Sequence, residues 1–158
     1  MRKHIFSILC QNVPGVMMRI TRAFTRRQVN LDSITVGVEP SGLARIILLF
    51  SADDRTAELM RRVLLRLEPV ESVEEIDPEM SIVREVALLR TVPLSGENHW
   101  KVVEQIEEAG GKIVEARDGA VIAEVSGTPE ELERLISQLG PDVLAEVVRS
   151  GQIYCRRL

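Results

Sequence analysis

Asn12, Pro14 and Gly15 stand between an apolar run at residues 4–10 (HIFSILC) and a helical stripe that begins at Val16. An amide, a proline and a glycine at such a handover form either a plain connection or a ligand cradle. Proline presets φ for a first helical turn and has no N–H to leave unpaired. Glycine lets a ligand approach the backbone without a Cβ in the way. The N–H groups near Gly15 and Val16 lie at a helix start, where the dipole favours an anion such as a carboxylate. The Asn12 amide can both donate and accept, so it suits an ammonium as well as a carboxylate. A second amide, Asn30, stands where the same helix ends. It serves either as a left-handed helix stop or, if second strands pair across a dimer, as part of an amino-acid site at a subunit interface.

Other chemistry has little to build on. His4 and His99 are the only histidines, and no Cys/His cluster joins them, so no metal site is expected. Cys10 and Cys155 are distant in sequence and fit two partly buried, reduced thiols better than a disulfide framework. No catalytic residue set is evident. The net charge of −4 argues against nucleic acid as a partner. No apolar run reaches membrane-spanning length and no signal peptide is evident, which predicts a cytoplasmic protein. With 45% apolar but only 3% aromatic residues, the core must be built mainly from aliphatic side chains.

The elements that position the loop repeat twice along the 158 residues. In the first half, strand 4–10 is followed by a helix over 16–28 with Val16, Ile20, Ala23 and Phe24 on one stripe. Strands 30–38 and 43–51 flank Pro40-Ser41-Gly42 as a hairpin, and a helix over 54–67 leads to a strand at 70–76. Arg19, Arg22, Arg26 and Arg27 lie mainly off the first apolar stripe, on a solvated face or a partner surface. The second half repeats the order: strand 84–91, helix 97–109 with Trp100, Val103 and Ile106 at helical spacing, and hairpin 112–127 turning at Asp118-Gly119. A helix capped by Thr128, with Pro129 first and Glu131 three residues after the cap, precedes a last strand at 143–151.

This predicts an α+β protein of two ferredoxin-like β-α-β-β-α-β domains, 1–77 and 84–158, joined by a linker at 78–83. Each sheet is expected to be antiparallel with its helices on one face. Halves this small leave edges and a sheet face to cover, and edge-paired homodimerisation is one solution.

The spacing of His4, Ser7, Leu9, Asn12, Pro14, Gly15, Val16, Arg19, Phe24, Arg27, Asn30, Leu31, Asp32 and Ser33 resembles the N-terminal ACT domain of the acetolactate synthase small, regulatory subunit. Arg84-Glu85-Val86-Ala87-Leu88 and Glu146-Val147-Val148-Arg149-Ser150-Gly151 extend the resemblance over nearly the whole chain. The resemblance implies a non-catalytic subunit that activates a catalytic large subunit and confers feedback inhibition by valine or a related branched-chain amino acid. The effector would lie between the ACT domains of a homodimer. Asn12, Val13, Pro14, Gly15 and Val16 would hold its polar end, Asn30 would come from the neighbouring chain, and Leu31 and Ile34 would lie near its side chain. No cofactor is expected in this chain; thiamine diphosphate, magnesium and FAD would belong to the large subunit. Two departures stand out: Gln11 replaces a common acidic residue, and Gln28-Val29 replaces a glycine–aromatic pair, which makes a tight helix exit harder.

Competing functions fit fewer residues. An ACT module that senses an amino acid for another partner would share the same loop. An acylphosphatase-like hydrolase would cast Arg19 as the phosphate ligand and Asn30 as the residue that positions water, but would leave the second half unexplained.

Overall fold

The computed structural model describes residues 1–158. They form two compact units, Met1–Ile82 with Gln152–Leu158, and Val83–Gly151.

In the first unit, β1 (Arg2–Gln11), β2 (Leu31–Val38), β3 (Leu43–Ala52) and β4 (Val70–Glu75) make an antiparallel sheet in the order β2-β3-β1-β4. Helices α1 (Val16–Thr25) and α2 (Asp54–Leu65) supply the other half of the core. Phe6 and Ile8 of β1 and Ile46, Leu48 and Phe50 of β3 bury against Val16, Ile20 and Phe24 of α1 and Met60 and Leu64 of α2. All three phenylalanines meet here: the Phe50 ring sits edge-on to Phe6 at 4.9 Å and to Phe24 at 5.1 Å. The aliphatic stripe read from the sequence of α1 is the stripe that packs.

Helix α1 stops at Thr25, three residues earlier than its apolar pattern predicts. Gln28 takes φ 55, with its N–H donating to the Thr25 carbonyl at 3.0 Å and the Val29 N–H reaching back to Phe24 at 3.2 Å. Those two bonds are the usual left-handed helix stop. Gln28, not Asn30, makes that stop, so the Asn30 side chain is free for another role. The exit forms without the glycine that would ease it.

The opposite face of the first sheet is partly covered. Ile5, Ile47 and Leu49 are buried there beside Ile76 and Tyr154. Tyr154 lies on β9 (Ile153–Arg156), which pairs with β5 (Ser81–Thr91), a strand that starts in this unit. The Arg157 N–H donates to the Met80 carbonyl at 3.0 Å. Residues 152–158 therefore pack with the first unit, whereas the sequence division placed them at the end of the second. The stretch read as a linker at 78–83 holds a 3₁₀ turn, Pro78–Met80, followed at once by β5.

In the second unit the sheet order is β6-β7-β5-β8, with β6 (Lys112–Arg117), β7 (Ala120–Gly127) and β8 (Leu144–Arg149). Its helices are α3 (Gly96–Glu108) and α4 (Pro129–Leu139). Alternation on β5 places Ala87 and Leu89 in the core, against Val102 and Ile106 of α3 and Leu132, Leu135 and Leu139 of α4. Thr128 and Glu131 form the capping box expected for α4, at 3.2 and 2.8 Å. Asp118 (φ 51) and Gly119 (φ 82) make the hairpin turn, and a Cβ on Gly119 would lie 2.5 Å from the Leu94 carbonyl oxygen. The apolar spacing of α3 is read differently by the fold: Trp100 is 69% exposed. It lies two residues before Val102, about 200° round the helix, so it cannot share the buried stripe.

The buried Glu85 carboxylate takes two hydrogen bonds from the Arg149 guanidinium, at 3.0 and 2.8 Å. The two residues lie 64 apart in sequence, and the pair ties β5 to β8. Cys10 is buried in the first core, where desolvation raises its thiol pKa, and Cys155 is exposed rather than partly buried.

Candidate functional site

The loop between β1 and α1 is anchored on one side only. The Gln11 N–H donates to the Pro69 carbonyl at 2.8 Å, and the Val13 N–H to Gln11 at 3.0 Å. Beyond these bonds Asn12, Val13, Pro14 and Gly15 are exposed. Gly15 caps α1 in the left-handed region at φ 84, and no side chain caps this helix start. The Val16 N–H is used locally, donating to Val13 at 3.4 Å. The donors left without a partner in the chain are the N–H groups of Gly15, Met17 and Met18. Of the two N–H groups the sequence places at this helix start, that of Gly15 has no partner in the chain and that of Val16 does, and the Val16 side chain belongs to the core.

A Cβ built on Gly15 would meet nothing within 4 Å. The space above this helix start is open, with backbone donors and a positive dipole end facing it. Asn12 is exposed beside it, and its amide bonds to nothing else in the chain.

Asn30 stands past the other end of α1, at the start of β2. A helix of ten residues is about 15 Å long, so one chain does not bring Asn30 to Asn12. Arg19 lies in the first turns of α1, and the side-chain hydrogen bond of Asn30 goes to Asp32, so no bond joins the Arg19–Asn30 pair that an acylphosphatase-like site would use.

β2 is an edge strand. Its pairing with β3 slips by one residue between Leu31 and Ser33, which makes Asp32 a bulge. Past the bulge, Ile34, Val36 and Val38 pair with Leu48, Ile46 and Ala44. They share the face that carries the core yet remain 39%, 51% and 63% exposed. Leu31 packs against the rim of the core. An edge strand with three exposed aliphatic residues is a ready template for pairing with another strand.

Two family models divide the chain between them. Residues 6–71 match the AHAS small subunit-like ACT domain, and residues 84–157 match the small subunit of acetolactate synthase. A probable acetolactate synthase small subunit of Methanothermobacter thermautotrophicus is 30% identical over 94% of this chain and 89% of its own length. The chain belongs to the acetolactate synthase small-subunit family. The acetolactate synthase small subunit of Mycolicibacterium smegmatis is likewise 30% identical, over 98% of this chain and 91% of its own. The crystal structure of the Thermotoga maritima small subunit superposes with a TM-score of 0.91 at 32% identity, covering 100% of this chain and 99% of that one. Residues 6–71 are accordingly an ACT domain, and the β1–α1 loop and the β2 edge lie within it.

No group of three or more His, Cys, Asp or Glu residues is placed to hold a metal. No helix is long and apolar enough to cross a membrane. Ser95, Gly96, His99 and Trp100 line a hollow of about 410 Å³ with Leu94, Arg117 and Gly119 in the second unit.

Proposed function

We propose that this chain activates the catalytic large subunit of acetolactate synthase and subjects it to feedback inhibition by valine or a related branched-chain amino acid. Two ACT domains meet along β2, and the effector lies between them. The observation that carries this reading is the uncapped start of α1. In an ACT domain of this family, the free N–H groups at Gly15, Met17 and Met18 form an open seat for a carboxylate.

Pairing of β2 with its copy about a two-fold axis covers the exposed edge and brings Asn30 of one protomer toward Asn12 and Gly15 of the other. The effector's carboxylate takes the helix N-terminus, its ammonium takes the amides, and its branched side chain packs near Leu31 and Ile34. Thiamine diphosphate, magnesium and FAD are assigned to the large subunit, and this chain acts without catalytic residues of its own.

Inhibition follows from linkage. A ligand shifts activity only when it binds one quaternary state better than another. A tenfold preference corresponds to about 1.4 kcal/mol, a modest demand for two amides and a helix end. Valine therefore favours a holoenzyme state that is less activated.

The test is acetolactate formation by the large subunit with this chain and with its Asn12→Ala and Gly15→Asp variants. Both variants are expected to retain activation and lose inhibition by valine. Full inhibition in both would refute the assignment of the loop.

A further inference from the structure

The Asn30 side chain makes one hydrogen bond within the chain, to Asp32. Its Nδ2 donates to Oδ1 of Asp32 at 3.2 Å, and Ser51 Oγ donates to the other carboxylate oxygen, Oδ2, at 3.3 Å. Asp32 is the bulged residue of β2, and a bulge re-aims the side chain it carries. An ionised carboxylate only accepts hydrogen bonds, so it can face only the NH₂ of the amide. The Asn30 carbonyl oxygen is thereby turned away from Asp32, with no donor from the chain on it.

We propose that Asp32 is a positioning residue of the effector site: it locks the Asn30 amide so that its carbonyl oxygen is the atom presented to the effector's ammonium. This rests on the assignment of Asn30 as an effector ligand. An ammonium has three donors and no acceptor, so only the carbonyl end of an amide can bind it. A reversed amide would set N–H groups against a cation. The Asp32 charge also favours a cation nearby, so the bulge selects amino acids over acids of the same shape that lack the ammonium. Ser51 steadies the carboxylate from β3.

The test is calorimetric titration of the full chain and its Asp32→Ala and Asp32→Asn variants with two probes, valine and 2-hydroxyisovalerate. The second probe keeps the carboxylate and branched chain but carries a hydroxyl, which both donates and accepts and so tolerates either amide orientation. Asp32→Ala is expected to weaken valine about tenfold, the worth of one charge-assisted hydrogen bond. It should leave 2-hydroxyisovalerate unchanged. Asp32→Asn, which keeps an acceptor for Asn30, should recover most of the loss for valine. Unchanged valine affinity in Asp32→Ala would overturn the proposal. So would an equal loss for both probes with a lowered melting temperature, or an Asp32→Asn variant as weak as Asp32→Ala. If the unaltered chain binds 2-hydroxyisovalerate as well as valine, the effector reading stands and Asp32 does not select. If it binds neither, even with the large subunit present, the effector reading falls first and takes this one with it.

Discussion

The Val29 N–H reaches back to the Phe24 carbonyl at 3.2 Å and closes α1 around a left-handed Gln28. A non-glycine residue in that conformation costs about 1 kcal/mol or somewhat more. Gln28→Gly is therefore expected to stabilise the chain by about 1 kcal/mol. A denaturant midpoint that rises without a change in slope would check it. Valine binding should be unaffected, because Asn30 stays where this exit already places it.

The example shows what the sequence could and could not disclose. The apolar stripe of α1, the Thr128 capping box and the Asp118-Gly119 turn are local, and each is found where its pattern places it. Helix α1 was read too long because nothing in Gln28 signals a left-handed stop. Trp100 is exposed although it keeps the helical spacing, because a run of apolar residues every third position drifts round a helix. The last strand, β9, is only four residues long, too short to show a period, and its pairing with β5 and the packing of Tyr154 beside Ile5, Ile47 and Leu49 are long-range. At the candidate site, the open α1 start at Gly15 was legible from residue type and spacing. The hydrogen bond from Asn30 to Asp32 was not, because it sits at a register slip in β2 that no single-chain pattern announces.

Arg149 is the sole hydrogen-bonding partner of the buried Glu85 side chain. Removing one member of a buried ion pair leaves an uncompensated charge, at a cost of about 3 kcal/mol or more. Arg149→Leu is expected to destabilise the second unit by about that amount. The double replacement with Glu85→Leu should recover much of the loss, measured by chemical denaturation. A single variant as stable as the parent would contradict this.

Glu58 bonds both Arg61 and Arg62, and those bonds, Arg61 first, hold its carboxyl down from an ordinary 4.5 to about 2. A depressed folded-state pKa stabilises in full above the unfolded value and is lost as pH falls through the folded one. The window is thus pH 4.5 down to about 2. Because the Glu58 side chain is 42% exposed on α2, the effect is small and screened by salt. Glu58→Gln should melt below the parent at pH 6 and converge with it near pH 2; a constant gap would contradict the pairing.

Tyr154 covers the apolar patch of Ile5, Ile47 and Leu49 on the first sheet. Tyr154→Ala uncovers part of that patch and is expected to cost the first unit about 2 kcal/mol. Amide exchange should quicken on β1 and β3 and stay unchanged in the second unit. Equal effects in both units would show that the tail does more than cover this face.

The central claim is that the first unit is an amino-acid sensor. Its most direct test is calorimetric titration of the purified chain with valine, leucine and isoleucine, with Asn12→Ala as control. Saturable binding of at least one of them, lost in the variant, is the predicted result. Equal binding by both proteins, or none by either even with the large subunit present, would contradict it.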